Sequence, residues 1–295
     1  MLKDLRLEAG AVGLELHMGK TKILSNGIGP ETRSTEADIG GQKVEVLSPT
    51  DSTMYLGRAL NLKSPHETEI NHRVSRAWCK FGQYKKELMS KAYPLSDRLR
   101  LFNAVVTPTV LYGSGAWVMT KAREQKLRTA QRRMLRSILG KGRAKLQPEH
   151  VDDEESSQSC SLASSDGTEA VESWVEWIKR VTADAEVAME KVGIPDWVEE
   201  QHKIKWRWCG HVCRSEDGRW SRKILEWTPQ TGHRNQGRPY CRWSDDVDAF
   251  TATLPQIGEG ADKLGFAEWS ELALSREVWS HLQGDFSKYC SERWS

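Results

Sequence analysis

Lys121-Ala-Arg-Glu-Gln-Lys-Leu-Arg-Thr-Ala-Gln-Arg-Arg-Met-Leu-Arg-Ser-Ile-Leu-Gly140 decides the class of this chain. Leu127, Ala130, Met134 and Ile138 recur at helical spacing, and Arg128, Arg132 and Arg136 recur every four residues. At about 100° per residue the two stripes lie about 160° apart. The spacing predicts an amphipathic helix from about Lys121 to Leu139, ended by Gly140, with an apolar core side and an arginine side. Three aligned guanidinium groups suit consecutive phosphates. A solubilising surface is the alternative, which the scarcity of acids nearby weighs against.

Two more helices precede it. Ser64-Pro65-His66-Glu67 combines a capping box with proline at the first helical position. Ile70, Val74, Ala77, Trp78, Phe81 and Leu88 then mark one face of a helix over 64–91. A second runs from Ser96 to Tyr112, broken near Pro108 and ended by Gly113 and Gly115.

The first sixty residues read as α then β. An amphipathic helix from Leu2 to Val12 stops at Gly10 and Gly13. Leu14 and Leu16 alternate with Glu15 and His17 as in a half-buried strand. Lys20 and Lys22 flank Thr21, Ile23 and Leu24 resume the apolar run, and Asn26-Gly27 makes a turn. A short strand is expected from Lys43 to Leu47. Tyr55-Leu56-Gly57-Arg58 closes the section, with Gly57 at a strand end or turn.

Beyond residue 146 the composition changes. Residues 121–145 hold ten Lys and Arg against Glu124 alone, whereas 146–175 hold eight acids and no Lys or Arg. Residues 202–243 are basic again, with ten Lys and Arg against three acids. The formal net charge of +2 hides this segregation. Two basic blocks around an acidic stretch suggest polyanion-binding surfaces, or else solvated faces that the linker neutralises. The fold class expected is mainly α with a small α+β N-terminal portion. Its parts are 1–60, a helical bundle over 61–146, an acidic serine-rich disordered linker over 147–168, and a Trp/Arg-rich helical region over 169–295. In that last region a helix from about Ala170 to Lys191 carries Val171, Trp174, Val175, Ile178 and Val181, and Gly193-Ile194-Pro195 ends it.

Six of the thirteen tryptophans fall between Trp197 and Trp243. Trp206-Arg207-Trp208-Cys209-Gly210-His211-Val212-Cys213-Arg214 leads to Arg219-Trp220, Trp227-Thr228-Pro229, Gly237-Arg238-Pro239 and Arg242-Trp243-Ser244-Asp245-Asp246. Arginine alternating with tryptophan suits phosphate contact plus base stacking. Tryptophan at helical spacing also suits a small core.

These segments, in this order, resemble the reverse transcriptases of non-LTR (LINE-like) retroelements. The resemblance rests on Gly13-Leu14 with Lys20-Thr21-Lys22, then Tyr55-Leu56-Gly57, Leu111-Tyr112-Gly113 with Trp117, and the Trp206–Asp246 pattern. It implies the end of a polymerase palm with a primer-grip hairpin, a helical thumb, and a C-terminal region without assigned chemistry. His17 departs from the family, which usually has Asn there. The family's catalytic turn, an aromatic-Ala-Asp-Asp, would precede Gly13, so the chain is read as a downstream piece without the catalytic aspartates. The function implied is a share in primer–template binding by an RNA-directed DNA polymerase. RNA and DNA are the partners it implies, with Tyr55 and Gly57 in the primer grip and Arg128, Arg132 and Arg136 of the thumb along the backbone. The Trp/Arg alternation adds Trp206, Arg214, Arg219, Trp220, Arg238, Arg242 and Trp243 as expected phosphate or base contacts. The alternative is a stand-alone nucleic-acid-binding protein or a relic without function.

Nucleotidyl transfer needs paired carboxylates holding two divalent ions. Asp152-Asp153 lies in a hydrophilic run, and Asp245-Asp246 reads as a helix start; neither has apolar strand flanks. No catalytic residue is assigned, and Mg²⁺ is expected only of an intact polymerase. The resemblance implies a leaving-group role for Lys20 or Lys22, where a cation meets the charge developing on pyrophosphate. Cys209, His211 and Cys213, with His233 and Cys241, lack the Cys-x₂-Cys pair of zinc sites. In a helix Cys209 and Cys213 share a face and His211 points away. The six scattered cysteines fit reduced thiols in nucleus or cytoplasm. No apolar run approaches the roughly 20 residues of a membrane span, and mean hydropathy is −0.62.

Overall fold

The computed structural model describes residues 2–15, 17–25, 35–38, 41, 43–145, 171–215, 220–227, 242–254 and 266–293. The expected linker over 147–168 lies outside them, as do Arg219, Arg238, His233, Cys241, Asp152-Asp153 and the Asn26-Gly27 turn. As expected, the chain is mainly helical, with its few strands near the N-terminus.

Helix α1 (Leu2–Ala11) is followed by a 3₁₀ turn, Met18–Lys20. Strands β1 (Lys22–Leu24), β2 (Glu36–Asp38) and β3 (Lys43–Leu47) form a sheet of order β1-β3-β2, parallel on one side of β3 and antiparallel on the other. The described residues of the expected strand, Leu14, Glu15 and His17, are not in a strand. Leu14 is exposed, and the strand begins at Lys22, whose ammonium meets Glu45 of β3 at 2.8 Å. Leu5 and Leu7 are exposed too, so α1 buries no apolar stripe there. Strand β3 has the expected bounds, with Val44 and Leu47 buried.

A second sheet is the hairpin β4 (Thr53–Tyr55) and β5 (Arg58–Leu60). The helical bundle follows. The expected 64–91 helix is two helices, α2 (Pro65–Gln83) and α3 (Lys85–Met89), separated at Tyr84. Its expected capping box does not form. Asn61 Oδ1 accepts from the Ser64 N–H at 2.6 Å, and Glu67 is drawn to Lys126 instead. The expected 96–112 helix is α4 (Leu95–Val105) and α5 (Thr107–Leu111), broken just before Pro108 because proline cannot supply the N–H a continuous helix needs there. Helix α6 (Lys121–Leu139) is bounded as read. Thr120 caps its start, and Gly140, at φ 57°, takes the left-handed conformation at its end.

Helix α7 (Trp174–Val192) starts later than the apolar pattern suggested, at a capping box of Ser173 and Glu176. Trp174 and Val175 are therefore exposed, and Val181, Ala185 and Met189 face inward. Helices α8 (Trp197–Cys213), α9 (Trp220–Glu226), α10 (Asp245–Thr251), α11 (Phe266–Leu274), α12 (Arg276–His281) and α13 (Gln283–Glu292) complete the described chain.

Among the described residues, two apolar cores result. The first joins α2 to α7 and the start of α8, with Ile70, Phe102, Trp117, Met134, Met189 and Trp197 at its centre. It includes helices from both sides of the expected linker. The second joins the end of α8 to α10–α13 through Trp206, Phe250, Trp269, Trp279 and Phe286. Helix α8 serves both. None of the described helices is long and apolar enough to cross a membrane.

Candidate nucleic-acid interface

The hairpin turn is the most tightly determined local feature. Tyr55 pairs with Arg58 across a two-residue loop, and both loop residues have positive φ, Leu56 at 49° and Gly57 at 77°. That is the requirement of a type I′ turn, whose twist matches the flanking strands. Glycine adopts it freely, whereas leucine is strained there. The strain is held by contacts to the loop's two carbonyls. Tyr112 Oη donates to the Leu56 carbonyl at 3.1 Å, and the Arg73 guanidinium donates to that of Gly57.

These contacts belong to a buried clamp. Glu69, on α2, accepts from the Ala59 N–H at 2.6 Å and from Arg73 Nε at 2.8 Å, with Arg58 Nε at 3.6 Å. The Arg73 guanidinium lies 4.5 Å from the centre of the Tyr112 ring. Gly113, at φ 68°, lets Arg58 pass, since a Cβ there would meet Arg58 Cδ at 3.3 Å. The Leu111-Tyr112-Gly113 segment thus has a physical role, to brace the hairpin. Beyond the clamp the tip is open, with Tyr55 exposed by 62% and Leu56 by 74%. Glu69 and Arg73 were not singled out from the sequence. Their i,i+4 spacing, on the side of α2 that carries Ile70 and Ala77, was the available signal.

The arginine side of α6 differs from the expected exposed ladder. Arg132 bonds Asp196 at 2.5 Å and Glu186 at 3.2 Å. Arg128 lies 3.6 Å from Glu124 and 4.0 Å from Asp196. Arg136 donates to Thr182 Oγ1 at 2.8 Å, and burial, with Arg133 beside it, lowers its pKa below the usual arginine value. The three side chains bind α7 and the start of α8 to α6. Exposed cations of the bundle include Arg76 and Arg133, the latter 5.5 Å over the Trp78 ring, while half-buried Lys80 lies 5.3 Å over Tyr84.

The C-terminal tryptophans divide in the same way. Trp206 is fully buried and stacks on Trp279 with ring centres 3.7 Å apart. Each indole N–H donates to the other residue's carbonyl, at 2.7 and 2.8 Å. Gly210 makes room for this stack, since a Cβ there would come within 2.5 Å of Trp279. Trp206 therefore offers no face to a base. Arg214 donates to the Ala273 carbonyl at 2.5 Å, and Trp243 Nε1 to that of Gly115 at 2.8 Å. Trp243 also meets Trp208 edge to face at 5.0 Å, with Lys205 Nζ 4.8 Å over its ring. Trp220 and Arg242 are exposed.

Asp245-Asp246 opens α10 as read, but Asp246 is buried, with both carboxylate oxygens on Lys205 Nζ. Cys209 and Cys213 share the buried side of α8 and His211 is exposed, as helical spacing required. Burial, then the neighbouring Cys213, raises the Cys209 thiol pKa; the hydrogen bond from Cys209 lowers that of Cys213. Among the described residues no group of three or more His, Cys, Asp or Glu could hold a metal ion. Lys20 lies in the 3₁₀ turn, and Lys22 is paired with Glu45.

No protein-family profile matches the chain, and no solved structure matches it. A protein of Caenorhabditis elegans, uncharacterized and described as transposon-derived, is 27% identical over 282 residues, which cover 95% of this chain and 86% of that one. The likeness runs through sheet, bundle and C-terminal helices alike, and it supports a transposon origin for the chain.

Proposed function

We propose that the chain is part of a retroelement RNA-directed DNA polymerase and contributes primer–template binding. The braced hairpin carries this reading. A type I′ turn with strained Leu56 is held by Tyr112, Arg73 and Glu69, yet Tyr55 and Leu56 are left open to solvent. Strain held by a rigid surround and displayed at a surface suits positioning of a ligand. An aromatic ring at the tip can pack on a terminal sugar or base, while the backbone of Gly57 approaches a phosphate. Arg76 and Arg133 supply sequence-independent backbone attraction from the bundle.

The test is binding of a labelled primer–template with a recessed 3′ end, compared with a blunt duplex. Tyr55→Ser should weaken the recessed substrate selectively and leave the melting temperature unchanged, since Tyr55 is exposed. Equal affinity of wild type and variant for the recessed end would defeat the reading.

A further inference from the structure

Helix α9 turns an apolar stripe outward. Trp220 and Ile224, with Trp227 just past the helix end, recur at i, i+4 and i+7; all three are exposed, Trp220 by 75%. Trp208 of α8 is partly exposed as well, and a cleft of about 490 Å³ opens between them. Trp208, His211, Val212, Ser215, Trp220 and Ser221 line it. That volume falls in the range of small-ligand sites.

One cation lies at the edge of the cleft. Lys223 Nζ lies 5.3 Å over the Trp220 ring. Arg222 donates to the Cys213 carbonyl and engages Glu226 at 2.8 Å, so the acid of α9 is already paired. His211 is exposed on the cleft wall, and Arg242 is exposed beside Trp243, the residue that packs on Trp208. Lysine is depleted from the centres of protein–protein interfaces, whereas aromatic rings edged by cations are how single strands are held. Bases in a duplex are stacked on one another and cannot enter a concave site, so the occupant must be unstacked.

We propose that this cleft takes an unstacked base of a single-stranded nucleic acid, with Trp220 and Trp208 as stacking surfaces and Lys223 and Arg242 at the flanking phosphates. The proposal rests on the nucleic-acid reading above but concerns a different surface from the hairpin. It assigns a single strand, not a duplex, to the C-terminal helices.

The test uses the full chain with a labelled oligothymidylate and a labelled recessed primer–template. Trp220→Ala should weaken oligothymidylate binding by roughly 10-fold or more, the scale of one lost base–aromatic stack. Lys223→Gln should reduce the slope of log K against log[salt] by about 0.7, as for one single-strand phosphate. Both variants alter exposed side chains, so melting temperatures should not move, and Tyr55→Ser should leave oligothymidylate affinity intact. Wild-type affinity for oligothymidylate in Trp220→Ala, with the Tyr55→Ser defect on primer–template retained, would overturn this inference alone. Failure of wild type to bind either nucleic acid would overturn both. Concentration-dependent self-association that Trp220→Ala abolishes, without oligothymidylate affinity, would make the cleft a contact between copies and overturn the base assignment.

Discussion

Lys205 Nζ lies 2.5 and 2.7 Å from the two carboxylate oxygens of Asp246, joining α8 to the first turn of α10, and both residues are buried. A pair of this kind is costly to break because the surviving charge remains desolvated. Asp246→Asn should therefore destabilise the chain by about 3–5 kcal/mol in chemical denaturation. Lys205→Met with Asp246→Leu should cost much less than the single change. Equal losses in the two would show that packing, not charge, dominates.

Gly210 has no room for a side chain, because Trp279 occupies the position of its Cβ. Gly210→Ala should cost about 1–3 kcal/mol, as overpacking does. Near-ultraviolet circular dichroism should record disruption of the stacked Trp206 and Trp279 rings. An unchanged aromatic signal would place the strain elsewhere.

His66 is held neutral. Burial first, then the charges of Arg123, Arg58 and Lys205, lower its pKa from 6.5 to about 4, and it accepts the Val118 N–H at 3.5 Å. Between those values the unfolded chain binds the extra proton, so stability rises with pH there. Its contribution is complete above about 6.5 and lost as pH falls toward about 4. His66→Gln should flatten the pH dependence of the melting temperature in that window. A slope that persists unchanged would assign it to other groups.

Leu56 holds a backbone conformation that asparagine tolerates better. Leu56→Asn should stabilise the chain by up to about 1 kcal/mol, since Asn-Gly is the preferred type I′ pair. A loss of stability would mean that the Leu56 side chain, not the turn, matters to the fold.

Arg128, Arg132 and Arg136 bind helices, and their replacement by glutamine should lower the melting temperature. By contrast, replacing exposed Arg76 and Arg133 by glutamine should leave melting unchanged. It should reduce the salt slope of duplex binding by about two units, near 0.9 per phosphate. The opposite assignment of the two effects would return the arginine stripe to the nucleic acid.

Helix α6 was legible because every determinant of it is local: the stripe, the capping threonine and the closing glycine lie within one segment. The fate of its arginines was not. Asp196 and Glu186 lie 64 and 54 residues from Arg132 along the chain, and no periodicity reports a partner at that range. The hairpin turn could be read from Leu56-Gly57, but its brace draws on Glu69 and Arg73 of α2 and on Tyr112 in the turn after α5. Trp206 and Trp220 look alike in sequence. What separates them is Trp279, which arrives from α12 and covers one of the two. The break at Tyr84 had no proline or glycine at the break itself to announce it.

Helix α8 also limits where the chain can be divided. Here Trp197 and Val198 are fixed in one core, while Trp206, Cys209 and Cys213 are fixed in the other, all on a single unbroken helix of 17 residues. A cut anywhere within that helix would leave the bundle or the C-terminal core without part of its shared helix, so the two cores are expected to unfold together rather than as separable pieces.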